Sequence, residues 1–394
     1  MMKSFDSKQR LLLGSIGFIE FLRILGIFLI LPTFTLYGEK FSSSPLLIGA
    51  ALGAYGIAMA LFQTLFGNLS DRFGRKKIIA IGTIPFIVGN LLCWSPSNII
   101  GLIAGRFISG SGAISSTGFA FVQESVPVQK RNLAMAVIGI PIGIASVFGI
   151  LIGPVISQIF GSSFIFLLSA ILGVASLVPL IKVKEEKKPY EIKSRQKATV
   201  STLLMGGIGF TASFLVMVVF FFLPLYISNT IGISRYYTVL LPTLLVGGII
   251  GLSLSRLGDR GKSVMASFIT LVLFLSSVFL LFYLPVTTGI RLLFYIGLTL
   301  FFAGYALFEI VFITLVTKLS PSGSYGSNIG IYSTLQYIGE FLGGAVGGTL
   351  LSLTLTPATT FRTSLLLALL VLISIGLLYS ATRQIGKDDR IFTP

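Results

Sequence analysis

Twelve times along this chain the sequence runs for about 20 residues or longer with almost no charge, enough for a helix to cross a hydrocarbon core. Inside a bilayer every backbone amide must find a partner within the protein, so only helices or a closed barrel tolerate such runs. Their Gly and Phe content suits helices better than alternating barrel strands. The runs centre near residues 11–37, 46–66, 78–95, 99–123, 133–160, 163–181, 200–228, 236–255, 263–284, 289–317, 327–354 and 361–380. The pattern predicts an all-α membrane protein with twelve transmembrane helices. The first run follows Met1-Met2-Lys3-Ser4; it is too long for a cleaved signal core and eleven more come after it, so it is read as retained.

Of the 394 residues 54% are hydrophobic and 11% charged, with a net charge of +16. In a soluble protein that excess would point to nucleic acid. Here the basic residues alternate from loop to loop. The N-terminal segment, every second loop and the C-terminal tail carry 23 Lys and Arg, the opposite side carries 4 at or just inside span ends, and Arg23 and Arg106 fall deep inside spans. By the positive-inside rule both termini are cytoplasmic, as an even number of spans requires, and nucleic acid is set aside. The expected setting is the cell membrane, with the lipid bilayer as partner. A single cysteine, Cys93, and no histidine exclude an intrachain disulfide, a Cys/His metal site and histidine-dependent catalysis.

The longest hydrophilic stretch, Lys182 to Lys197, separates six spans from six. The expected organisation is a six-helix unit over 1–181, a cytoplasmic linker over 182–199, a second six-helix unit over 200–381 and a tail over 382–394. The linker reads as a solvated loop that fixes topology, with anionic headgroups as an alternative partner. The halves repeat one another. A shift of 184 places Gly67, Arg72, Gly74 and Lys76 on Gly251, Arg256, Gly258 and Arg260, with Asp71 replaced by Ser255. A shift of 194 places Phe107, Gly110 and Pro127 on Phe301, Gly304 and Pro321, and Gly149 and Gly153 on Gly343 and Gly347. Matches in corresponding loops and spans favour a duplicated unit.

Between the second and third spans stands Gly67-Asn68-Leu69-Ser70-Asp71-Arg72-Phe73-Gly74-Arg75-Lys76-Lys77. Read from the residues alone, Gly67 and Gly74 permit a tight turn against a neighbouring helix, and Asp71 suits a helix N-terminus; a basic loop that only sets topology is the alternative. The string closely resembles the loop between helices 2 and 3 of major facilitator superfamily transporters. Leu31 to Gly38, Gly105 to Ile114 and Ile331 to Gln336 are similar to the same superfamily, within it to proton-coupled drug antiporters. This resemblance implies two six-helix bundles related by pseudo-two-fold symmetry and secondary active transport by alternating access. It also implies no enzyme activity, no cofactor beyond a proton gradient, and a monomer. It implies a cytoplasmic gate built from Gly67, Asp71, Arg72, Gly74, Arg75 and Glu124: Asp71 docks near Gly326-Ser327-Asn328, and Arg75 pairs with Glu124.

The acids inside spans are Glu20, Glu309 and Glu340. At about 1.5 Å per residue, Glu20 lies about 15 Å beyond Arg10, Glu309 about 13 Å before Lys318 and Glu340 about 20 Å beyond Ser327. Burial would raise their protonation into the neutral range, as proton coupling requires. Glu20 and Arg23, three residues apart, share a helix face, so either neutralisation or coupling fits them. Glu309 has no basic neighbour at helical spacing, and the resemblance gives it a matching glutamate; it is the first candidate proton carrier. Glu340 stands among glycines and is alternatively an interhelical hydrogen-bond partner. Arg106, followed by Gly110 and Gly112, is similar to a second family motif associated with proton coupling. A lone arginine costs about 2.5 to 3.5 kcal/mol at the bilayer centre, so it needs a cavity, an acid or backbone carbonyls. Gly149 to Ser157 partially resembles the antiporter motif of drug exporters, departing from it at Ile140 and Ser157-Gln158.

The resemblance also places substrate contacts on spans 1, 4, 7 and 10, where aromatics are dense. The candidates are Phe119, Phe214, Tyr226, Tyr305 and Phe308. Intramembrane amides are few, chiefly Gln63, Asn90 and Gln336. A sugar would need several, because each hydroxyl requires a partner, so a small hydrophobic or amphipathic substrate is expected. The alternatives are a facilitator or importer of a polar or anionic solute held by Arg23 and Arg106, and, with no residue constellation to support it, a membrane enzyme or receptor.

Overall fold

The computed structural model describes residues 2–185, 200–232, 235–259, 262–319, 325–351 and 356–385. Most of the linker, Arg260-Gly261, Pro321 and most of the tail fall outside them. Among the described residues there are helices and turns and no strand. The chain divides into two compact units, Met1–Ser43 with Ala50–Ser194, and Ser44–Gly49 with Arg195–Pro394.

The first unit holds α1 (Ser7–Ile30), α2 (Phe34–Gly38), most of α3 (Pro45–Phe73), α4 (Arg75–Trp94), α5 (Ile99–Ser111), α6 (Ser115–Ser125), α7 (Arg131–Phe160) and α8 (Ser162–Ser176). The second holds α9 (Val200–Thr230), α10 (Tyr236–Asp259), α11 (Ser263–Val278), α12 (Leu284–Thr288), α13 (Arg291–Leu319), α14 (Tyr325–Leu351) and α15 (Pro357–Ile385). The first helix begins where the sequence marks it: Asp6 accepts from the Gln9 amide at 2.8 Å and the Gln9 side chain accepts from the Asp6 amide at 3.3 Å, a reciprocal cap.

Among the described residues eleven helical segments are long and apolar enough to cross a membrane. The twelfth expected span is α14, whose 27 residues have the length but include Gln336, Glu340 and a run of glycines. Three expected spans are interrupted. The first passes through a short 3₁₀ turn at Leu31–Thr33, where Pro32 removes an amide donor, and the ninth contains a π-helical turn at Phe279–Tyr283. The fourth, expected to be continuous over 99–123, is instead two helices, α5 and α6, separated by non-helical residues 112–114.

Each unit supports the repeat read from the sequence. In the first, α7 lies against α1 so closely that a Cβ on Gly149 would meet Phe28 Cβ at 2.7 Å and one on Gly153 would meet the Leu29 carbonyl oxygen at 2.0 Å. In the second, α14 lies against α9, and a Cβ on Gly343 would meet the Phe214 carbonyl oxygen at 2.4 Å. Gly153 and Gly343 meet backbone carbonyls directly, and Gly149 and Gly347 keep the same helix pairs close, as small residues do between membrane helices.

Candidate functional site

Residues 67–77 form almost no loop. α3 continues to Phe73, α4 starts at Arg75, and Gly74 alone turns the chain. Its φ of +99° is a conformation that glycine adopts and other residues resist, and a Cβ there would lie 3.0 Å from a Glu185 carboxylate oxygen. Gly67 does not have the tight-turn role expected of it. It sits inside α3, where an added Cβ would meet nothing within 4 Å, and it contributes its carbonyl, which accepts from the Ser70 hydroxyl at 2.7 Å and from Arg75 at 3.4 Å.

Arg75 gathers the neighbourhood. Its guanidinium donates to both carboxylate oxygens of Glu124, at 2.7 and 3.2 Å, and also meets the Asp71 carboxylate and the Ser70 hydroxyl. The Arg75 side chain is 11% exposed, against 40% for Asp71 and 36% for Glu124. A planar fork between two acids is a geometry lysine cannot supply. Arg72 is exposed beside this network. The expected docking of Asp71 near Gly326-Ser327-Asn328 involves the Ser327 side chain, which lies outside the described residues.

Glu185, not singled out from the sequence, closes the arrangement. Its carboxylate accepts from the Arg75 and Lys76 amides, the latter at 3.1 Å, and so caps the N-terminus of α4. Orphan amides and the positive end of the helix dipole favour a carboxylate there. Lys76 in turn donates to the Val183 carbonyl at 2.8 Å. The sequence offered no signal that separates it from Glu186 and Glu191 in the same linker.

A second polar cluster lies within the first unit. Glu20 and Arg23 are 1% and 3% exposed and form an ion pair at 3.2 Å. The Ser115 hydroxyl donates to Glu20 at 2.9 Å and contacts Arg23 as well; Arg23 also reaches the Gly112 carbonyl at 3.4 Å and the Tyr55 hydroxyl at 3.5 Å. Arg106, equally buried, has the Phe34 and Tyr55 rings 5.4 and 5.0 Å from its guanidinium carbon and donates to the Leu52 carbonyl at 3.5 Å. Cation–π contact and carbonyls thus provide the compensation that an intramembrane arginine requires. The aromatic partners carried no recognisable signal in the sequence.

In the second unit Glu309 stands on α13 one turn beyond Tyr305, close enough for the two side chains to interact. Glu340 and Tyr332 from α14 lie within electrostatic reach of the same Tyr305 hydroxyl. Glu309 keeps accessible surface although protein surrounds its carboxylate, and Glu340 is half-buried. The candidate substrate aromatics differ among themselves. Phe214, Tyr226 and Phe308 are packed among other rings, Tyr226 against Phe294 at 4.1 Å and Phe308 against Phe312 at 4.9 Å. Phe119 and Tyr305 keep accessible surface.

Two units of long apolar helices with charged clusters inside them define a multi-spanning membrane protein. A sequence model of the Major Facilitator Superfamily matches residues 16–344, and the chain belongs to that superfamily of transporters. It is 31% identical over 348 residues to the inner membrane transport protein YajR of Escherichia coli (strain K12), covering 84% of this chain and 76% of that protein. An uncharacterized transporter of Buchnera aphidicola (subsp. Baizongia pistaciae) is 31% identical over 356 residues, covering 84% of this chain and 87% of its own length. Among solved structures, a bacterial homologue of the human lysosomal transporter Spinster superposes with a TM-score of 0.75 at 14% identity, over 99% of this chain and 100% of that one, a likeness of fold.

Proposed function

We propose that this transporter is a proton-coupled exporter of hydrophobic or amphipathic compounds, working by alternating access in the cell membrane with both termini cytoplasmic. The observation that carries the reading is Glu309: an accessible carboxylate within an apolar span, beside the Tyr305 hydroxyl, which Glu340 also reaches. A group that exchanges protons needs access as well as an environment that responds to its charge. The partly matched antiporter motif at Gly149 to Ser157 and the aromatic content of the spans support export of an apolar ligand, with Phe119 and Tyr305 as the contacts favoured here. Asp71, Arg75 and Glu124 form the gate, with Asp71 docking at the start of α14 when the cytoplasmic side closes. Spin-label distances across that side test this: Asp71→Asn shifts the population toward inward-facing states, and an unchanged distribution leaves the loop as a topology signal.

Import of an anionic solute through Arg23 and Arg106 is less well supported, because the buried surroundings of both guanidiniums are protein groups. The deciding experiment is a screen of dyes, lipids and organic anions in proteoliposomes with simultaneous pH recording. Dye efflux driven by a proton gradient, and lost in Glu309→Gln, is the expected result. Coupled transport that survives Glu309→Gln overturns the carrier assignment, and uptake of an anion without proton movement favours the second reading.

A further inference from the structure

The break in the fourth span raises a physical problem. Residues 112–114 leave the helix in the middle of a 27-residue membrane segment, which frees carbonyls at the end of α5 and amides at the start of α6. In a bilayer such backbone is tolerated only where it is buried in protein or lines a water-filled cavity. Local bonds do part of this: the Ile114 amide donates to the Gly112 carbonyl at 2.9 Å and the Gly118 amide to the Ile114 carbonyl at 2.9 Å. Side chains from α1 also meet the break. Arg23 donates to the Gly112 carbonyl, at the C-terminal end of α5, while Glu20 accepts from the Ser115 hydroxyl at the first residue of α6. Glu20 also lies over the next part of that turn, with its other oxygen 3.7 Å from the position of a Cβ on Gly118. A cation at a helix C-terminus and an anion at a helix N-terminus are the arrangement the two half-helix dipoles favour.

We propose that Glu20, Arg23 and Ser115 form a bracket across a hinge in the fourth span: the ion pair spans the break, and the Ser115 hydroxyl joins its two charges to α6. The bracket holds α5, which carries Arg106, at a fixed angle to α6, which carries Phe119. Gly112 gives the hinge its footing, because a Cβ there would lie 2.3 Å from the Gly82 carbonyl oxygen of α4, so the break is seated against backbone. Releasing Ser115 lets the two halves open without dismantling the ion pair. The device needs no proton-coupling assignment, and it stands or falls apart from the role of Glu309.

The test is amide hydrogen exchange by mass spectrometry on the full chain in proteoliposomes, with melting temperature as the check on folding. Ser115→Ala removes one hydrogen bond to a charged group and raises exchange at residues 112–118 about tenfold, leaving residues 99–109 and α9 at the wild-type rate. Ser115→Thr, which keeps the hydroxyl, restores protection. Unchanged exchange at 112–118 in Ser115→Ala overturns the bracket. So does equal loosening across the first unit, which would mark a general packing defect.

Discussion

Glu20 and Glu309 are both carboxylates in apolar spans, one in each unit, and their surroundings are opposite. Glu20 is sealed in, paired with Arg23 and bound to Ser115; Glu309 keeps accessible surface beside a tyrosine hydroxyl that a second acid also reaches. The proposed function gives the same residue type two purposes. A buried acid matched by a buried base fixes structure, because removing either charge strands the other. An accessible acid without such a match is free to change its proton occupancy at small cost to the fold. The two units share helix packing down to corresponding glycine pairs, so the difference lies in the polar side chains rather than the scaffold.

The largest effect expected is functional. Glu309→Gln reduces gradient-driven transport to the background of empty vesicles while the melting temperature stays near wild type, since an exposed side chain contributes little to packing. A large drop in melting temperature would erase the contrast with Glu20. Next comes stability: Glu20→Gln leaves Arg23 without its buried counter-charge and costs about 3 kcal/mol, read by thermal unfolding in detergent. Pairing it with Arg23→Met returns much of that loss; a double variant no better than the single one would show that the pair is not the source.

Smaller effects come from the turn at Gly74 and from acids intermediate between these extremes. Gly74→Ala forces a side chain onto a φ of +99° and against the Glu185 carboxylate, at a cost of about 1 to 3 kcal/mol measured by the same melts. Glu185→Ala removes the cap of α4, worth about 1 kcal/mol. Glu124→Gln weakens a partly exposed pair and costs under about 1 kcal/mol, declining with added salt. A Glu124 effect as large as that of Glu20 would break the ordering by burial.

Much of this architecture is legible in the sequence because bilayer physics is strict: a run of apolar residues must become a helix, and an arginine within it must find partners. The Glu20–Arg23 pair follows from three-residue spacing, and the Arg75–Glu124 pair from a motif shared with a family. The break at Gly112 was not legible, since glycine in a membrane span is as often a packing residue as an end of helix. Nor were Tyr55, Phe34 and Ser115 as partners of the arginines, because contacts between α1, α3 and the fourth span are set by tertiary packing rather than spacing. The expected role of Gly67 failed for a related reason: the helix simply continues through it, and Gly74 alone makes the turn.

The division of labour between the two acids is tested most directly by recording pH and substrate flux together in proteoliposomes holding Glu309→Gln or Glu20→Gln, each normalised to folded protein. If the acids divide the work in this way, Glu309→Gln loses substrate-linked proton movement at an unchanged melting temperature, whereas folded Glu20→Gln keeps it. Coupled flux retained in Glu309→Gln, or lost in folded Glu20→Gln, would contradict it.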